Sequence, residues 1–340
     1  MSKIAILGAG SWGTALAIIL ARSPRKHEIV LWARAAALAA SLQNERENKT
    51  YLPGCRLPDC IQPTDSLAST VERADVVVSA IPSAHARGVF TAALPYLQAK
   101  VPVVSVTKGL EPLTHLRMSE VLMAVLAANF LADIAVLSGP SFAAEAARGE
   151  PTAVVVASLN VEGQSSLASK VQEEFAVPGF RLYTNDDVLG VELAGAMKNV
   201  IAIAAGTCEG LGLGHNAAAA LITRGLAEMT RLAVALGAKS ETLAGLAGLG
   251  DLVLTCTGTL SRNRQVGVQL GAGRPLSEIL AATHMVAEGV YTSTPLLALA
   301  RKHHIELPIT EQVDAILHHN RAPSDAIRSI MERPQKRESA

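Results

Sequence analysis

An aliphatic strand, Lys3–Leu7, runs without a break into Gly8-Ala9-Gly10-Ser11-Trp12-Gly13, and a helix-prone stretch, Thr14–Ala21, follows at once. This junction limits what the chain can fold into more than any other feature. Gly8 permits a tight turn, Gly10 lets backbone approach a pyrophosphate, and Gly13 lets the helix pack on the strand. The helix N-terminus then faces the phosphates with unpaired N–H groups and a partial positive charge. A GxGxxG on its own also marks ordinary strand–turn–helix corners. The strand before it, the helix after it and its place in the first βα unit point to dinucleotide binding.

The second strand, Glu28–Trp32, bears on which dinucleotide is bound. An NAD site would place Asp or Glu at its far end to hold the ribose 2′-hydroxyl. Here that end reads Trp32-Ala33-Arg34, and Glu28 opens the strand, at the wrong end for a ribose. Arg34 favours a 2′-phosphate, so NADP(H) is the expected cofactor and NAD(H) the alternative. The competing reading of Arg34 is a solvated residue at a helix start.

Apolar strand-like runs recur at 75–81, 101–106, 134–138, 152–157 and 180–184, most of them separated by helical stretches, as a parallel doubly wound sheet requires. The Pro-rich 48–65 segment reads as a surface loop. Beyond Asn185-Asp186-Asp187, which looks like a helix cap, β-alternation stops. Helices are expected over 187–205, 216–236, 262–270 and 310–318. The expectation is a Rossmann-type α/β domain over 1–184 followed by an all-α domain over 185–340, with a disordered tail from Arg333.

The net charge is zero and 49% of residues are hydrophobic. These values argue for a packed globule and against a partner made of nucleic acid. No apolar run approaches the ~20 residues of a membrane span, and no secretory signal is visible, so a cytoplasmic protein is expected. The cysteines Cys55, Cys60, Cys208 and Cys256 lack CxxC spacing and read as free thiols. The pairs His303-His304 and His318-His319 show no carboxylate at metal-ligand spacing, so no metal is expected.

The chemistry centres on Lys198, a lone charge in the otherwise apolar run 195–206. Its small neighbours let other backbone press close. Desolvation would lower the lysine pKa and ease proton donation to a developing alkoxide. A snorkelling surface lysine is the competing reading. Lys108 and the Gly139-Pro140-Ser141-Phe142-Ala143 turn follow strands at the carboxyl edge of the sheet, where ligands of open α/β sheets bind. Asp251, between glycines, could pair with a lysine or cap a helix, and Thr255 would share its helical face. Ser261 is a plausible N-cap, beside which Arg262 and Asn263 add donors for a phosphate.

Ten ordered segments then add up to a resemblance that spans the chain. They are GAGSWGTALA (8–17), LWAR (31–34), TKGLE (107–111), SGPSFAAE (138–145), AGAMKNVIAIAAG (194–206), ALITRGLAEM (220–229), GLAGLGDLVLTCT (245–257), SRNR (261–264), VAEG (286–289) and LPITEQV (307–313). The chain resembles the bacterial NAD(P)-dependent glycerol-3-phosphate dehydrogenases. The resemblance implies reversible hydride transfer between NADPH and dihydroxyacetone phosphate, giving sn-glycerol 3-phosphate for phospholipid synthesis. It implies Lys198 as acid and base, with Lys108, Gly139, Ser141, Asp251, Thr255, Ser261, Arg262 and Asn263 around the substrate. Gly8, Gly10, Ser11, Trp12, Gly13, Arg34, Lys108 and Ala143 would hold the cofactor, with Arg262, Val286 and Glu288 closing over it. In Ile81-Pro82-Ser83-Ala84-His85 the chain departs from the family's usual polar residue after the serine. A homodimer formed through the apolar helical half is also expected. The rivals are a dehydrogenase for another small oxo-acid, which would need a carboxylate site, and a non-catalytic NADP(H) sensor, which would need none of the lysine, aspartate and Arg-Asn set.

Overall fold

The computed structural model describes residues 2–130, 132–159, 166–282, 286–335 and 337. The expected tail therefore falls partly outside the described residues. The first half contains β1 (Lys3–Leu7), α1 (Ser11–Leu20), β2 (Glu28–Trp32), α2 (Ala36–Glu45), β3 (Glu47–Asn48), β4 (Leu52–Arg56) and β5 (Ile61–Thr64). It continues through α3 (Leu67–Val71), β6 (Val76–Ser79), α4 (Ala86–Ala93), β7 (Val103–Ser105), α5 (Met118–Leu126), β8 (Ile134–Ser138), α6 (Ala143–Arg148), β9 (Thr152–Ser158), α7 (Leu167–Glu174) and β10 (Phe180–Asn185).

Eight strands form one sheet in the order β10-β9-β8-β7-β6-β1-β2-β5. The six from β5 to β8 have the dinucleotide-binding order, and the strand sequence reverses direction between β1 and β6, the position at which open α/β sheets bind their ligands. Side-chain alternation explains why both faces are covered. Ile4 and Ile6 join the layer formed with Leu16 and Ile19, while Ala5 and Leu7 join the one formed with Phe90 and Leu122. Strands buried on both faces read as continuous apolar runs, which is why they stood out in the sequence.

Two expectations about the sheet need correction. The sheet is not wholly parallel, because β9 pairs antiparallel with β8. The 48–65 segment is not a plain surface loop: β3 and β4 pair antiparallel, and β5 extends the main sheet alongside β2. Pro63 is tolerated because β5 is an edge strand.

The second half is helical: α8 (Val188–Gly210), α9 (His215–Ala235), α10 (Ser240–Ala244), a π-turn over Leu246–Gly250, α11 (Asp251–Thr257), α12 (Arg262–Gly271), α13 (Leu276–Ala281), α14 (Glu288–Lys302), α15 (Pro308–His318) and α16 (Pro323–Met331). Asp187 caps α8 by accepting from Gly190 N–H at 2.8 Å. Contrary to the reading of the sequence, α8 is long and apolar enough to cross a membrane. It is instead the axis of the helical core, with nearly all of that window buried. Helix α12 lies against it at backbone range; a Cβ on Gly267 would sit 2.0 Å from the Ile203 carbonyl oxygen. Glu192, buried on α8, accepts from Ser119 N–H and Oγ and from Arg117 Nη1 at 2.6–2.8 Å. Those bonds seat the lysine-bearing helix on the start of α5.

All four cysteines are free. His318 and His319 do have a carboxylate neighbour: Asp314 lies 4.0 and 3.5 Å from their Nε2 atoms. One helical turn brings residue 314 beside 318, a spacing the sequence reading passed over. Among the described residues no group of three or more His, Cys, Asp or Glu could hold a metal ion.

Candidate active site

Three elements converge on one carboxylate. Asp251 opens α11 directly after the π-turn, an insertion that often marks a functional position. Its side chain is 1% exposed. Oδ1 accepts from Lys198 Nζ at 2.6 Å and Oδ2 from Lys108 Nζ at 2.7 Å. Of the two roles left open for Asp251, the structure shows the ion pair, and it shows the carboxylate shared between two lysines. Thr255, one turn on, accepts a second Lys198 hydrogen at 2.8 Å and donates its own to the Asp251 carbonyl.

Lys198 is not a snorkelling surface lysine. It is 6% exposed, and burial pushes its pKa down from the usual lysine range to about 8, with Lys108 adding to the depression and Asp251 opposing it. Lys108 is fixed from the sheet side by donating to the Gly139 carbonyl at 2.8 Å, and Ser141 Oγ donates to that same oxygen at 2.9 Å. The structure thus brings together Lys108, Gly139, Ser141, Lys198, Asp251 and Thr255.

A second group sits at the start of α12. Ser261 caps it, accepting from Arg264 N–H at 3.2 Å. Arg262 is exposed and donates to the Val286 carbonyl at 3.2 Å. Asn263 is buried; its Nδ2 donates to Asn199 Oδ1 at 2.9 Å, and Asn199 Nδ2 donates to the Lys108 carbonyl at 3.2 Å. No local pattern gives Asn199 a role, although it adjoins Lys198. It links the α12 group to the lysine cluster.

Glu288 opens α14 and reaches across to the sheet half, where Ser83 N–H and Oγ donate to its two carboxylate oxygens at 3.0 and 2.6 Å. Burial raises the Glu288 pKa against the opposing pull of those bonds. In the sequence Ser83 stands out only as the serine of the 81–85 stretch. Its partner lies 205 residues away, a pairing no local pattern could reveal.

The glycine turn fits a dinucleotide. Gly8 holds φ +117°, and a Cβ there would meet the Ala80 carbonyl oxygen of the neighbouring strand end at 2.5 Å. A Cβ on Gly13 would come within 2.0 Å of the Gly8 carbonyl oxygen, whereas one on Gly10 would project into open space. Backbone is therefore exposed where a pyrophosphate would lie, at the start of α1. Trp12 beside it has a buried Nε1 with no hydrogen-bond partner. Arg34 stands exposed just past β2. Ala143 opens α6.

Comparison with known proteins decides the family. The family described as NAD-dependent glycerol-3-phosphate dehydrogenase matches by its N-terminal part over residues 3–164 and its C-terminal part over residues 187–328. The chain belongs to that family. It is 54% identical to the glycerol-3-phosphate dehydrogenase (NAD(P)+) of Koribacter versatilis, with 99% of each chain covered. It is 50% identical to that of Acidobacterium capsulatum, covering 99% of this chain and 100% of the relative. The crystal structure of glycerol-3-phosphate dehydrogenase from Coxiella burnetii superposes with a TM-score of 0.92 at 43% identity, covering 98% of this chain and 99% of that one. As a glycerol-3-phosphate dehydrogenase family member the chain is an NAD(P)-dependent oxidoreductase.

Proposed function

We propose that this chain reduces dihydroxyacetone phosphate to sn-glycerol 3-phosphate with NADPH, reversibly, with residues 1–184 holding the cofactor and 185–340 shaping the substrate site. The observation that carries the reading is the buried Lys198 ammonium, held on Asp251 beside Lys108. When bound, NADPH supplies the hydride to the ketone carbon. The ketone oxygen then gains negative charge, and two ammonium groups fixed in a dry site stabilise it without reorganising. Lys198 Nζ gives its proton to that oxygen, leaving an alcohol and a neutral amine; in oxidation the same amine takes the proton back. Asp251 holds both lysines in place during the exchange, and Thr255 fixes a second hydrogen of Lys198 so that the amine cannot rotate freely.

The substrate phosphate suits the start of α12, where helix N–H groups, the Ser261 hydroxyl and the Arg262 guanidinium lie together. Binding energy gained there serves to position the ketone. Arg262→Ala is expected to raise the KM for dihydroxyacetone phosphate by about 10- to 100-fold, the size of a lost charge-assisted hydrogen bond. The same variant leaves turnover of unphosphorylated dihydroxyacetone nearly unchanged. NADPH-oxidation assays on both ketones provide the check, and equal losses on the two would remove the phosphate role.

Arg34 is the selector for the 2′-phosphate. Arg34→Ala should raise the KM for NADPH by about 10-fold or more while moving the KM for NADH little. A preference for NADH in the unaltered protein would defeat this assignment. A cytoplasmic location and a supply of product to phospholipid synthesis go with the same reading.

A further inference from the structure

One fully buried amide has no role in the chemistry above. Asn48 ends β3 with no exposed surface, in a stretch whose composition suggests an open loop. Its Nδ2 donates to the Ala9 carbonyl at 2.9 Å and to Thr14 Oγ1 at 2.8 Å, both 34 to 39 residues away. Its Oδ1 accepts from Tyr51 N–H at 3.1 Å, and Ser11 Oγ donates to the Tyr51 carbonyl at 2.7 Å. The turn after β3 is therefore bonded from both sides to the glycine turn and the first residue of α1.

The Ala9 carbonyl belongs to the same peptide unit as the Gly10 N–H. In a trans peptide the two point in opposite directions, and the chain has no cis peptide bond among its described residues. Holding the carbonyl toward Asn48 therefore aims the Gly10 N–H the other way. Without that anchor the unit would rotate easily, since one of its two hinges is the φ of Gly10, a glycine with wide access to φ/ψ space. A rotated unit would present a carbonyl oxygen to an incoming phosphate in place of a donor.

We propose that Asn48 is a positioning residue for the cofactor: it locks the Ala9–Gly10 peptide in the orientation whose N–H receives the pyrophosphate. The proposal rests on the glycine turn holding the dinucleotide, but not on which ketone is reduced. NADPH dissociation constants, read by fluorescence without any ketone, therefore test it even if the substrate assignment fails. Asn48→Ala is expected to weaken NADPH binding, and raise its KM, by about 10- to 50-fold, in line with loss of a buried hydrogen bond. The kcat at saturating NADPH should stay within about twofold and the KM for dihydroxyacetone phosphate should not move, as for uniform loss of cofactor binding. Asn48→Asp keeps the volume and the bond to Tyr51 but turns an acceptor toward the Ala9 carbonyl, so its loss should be at least as large. This variant decides the question if Asn48→Ala does not fold. Thr14→Val removes the other acceptor and leaves the Ala9 bond, and should change NADPH affinity by no more than about twofold. Unchanged NADPH affinity in both Asn48 variants would overturn the proposal. So would a Thr14→Val loss equal to that of Asn48→Ala, or a fall in kcat and a rise in ketone KM that accompany the NADPH effect.

Discussion

Lys198→Met is expected to lower kcat for dihydroxyacetone phosphate reduction by about 10⁴-fold or more while leaving NADPH affinity within about threefold. The magnitude combines loss of a positioned proton donor with loss of a charge that stabilises the oxyanion. Met matches the length of the lysine stem, and Asp251 keeps a cation because Lys108 remains 2.7 Å from its other oxygen. The fold should therefore survive, because the buried Asp251 carboxylate is not left as an uncompensated charge. Steady-state kinetics and NADPH fluorescence on the same preparation separate the two effects. Turnover within tenfold of the unaltered protein would show that another group delivers the proton.

The pKa of about 8 at Lys198 gives that variant a companion in the unaltered protein. Reduction needs the ammonium form, so kcat/KM for dihydroxyacetone phosphate should hold below about pH 8 and fall as pH rises through it. Oxidation of sn-glycerol 3-phosphate needs the neutral amine, so its kcat/KM should rise over the same interval. The profiles belong to the free enzyme. The two limbs cross because one group serves both directions, and profiles that moved together would deny it that double use.

Much of this was legible in the sequence for identifiable reasons. Strands covered on both faces, such as Val76–Ser79, need uninterrupted apolar side chains. The glycine turn shows its demand for backbone access in residue type alone. Lys198 stood out because a charge within a helix that packs on all sides has to be satisfied by something. What escaped depends on contacts distant in sequence. The strands β3 to β5 are short and contain Pro53, Gly54 and Pro63, so their pairing was hidden until the chain folded back. Helix α14 carries Pro295 in its interior beside Ser293 and Thr294, which bond to Asp314; local propensity argues against a helix there, and tertiary contacts override it. Asn48 and Ser83 look like ordinary turn residues until their partners arrive. Asp251 was ambiguous for the same reason, since a carboxylate opening a helix serves equally well as a cap in any sequence-level argument.

That ambiguity can be tested by experiment. Were Asp251 chiefly a helix-start residue, Asn would replace it at little cost, because Asn and Asp are nearly equal there. As the shared partner of Lys108 and Lys198 it cannot be so replaced. Asn offers one acceptor oxygen and turns an NH₂ toward the other ammonium, donor against donor, and it removes the charge that offsets two buried cations. Asp251→Asn should lower kcat/KM for dihydroxyacetone phosphate by about 10²- to 10³-fold, the scale of stripping one partner from a buried charge pair. The pH profile should change as well. Asp251 opposes the depression of the Lys198 pKa, whereas Lys108 and burial promote it. Without the carboxylate the ammonium is lost at lower pH, so the fall in reduction activity should move below about pH 8. A loss of rate with the limb unmoved would confine Asp251 to positioning, and a variant with normal rate and normal limb would restore the cap. Only the shared-carboxylate arrangement changes both rate and limb.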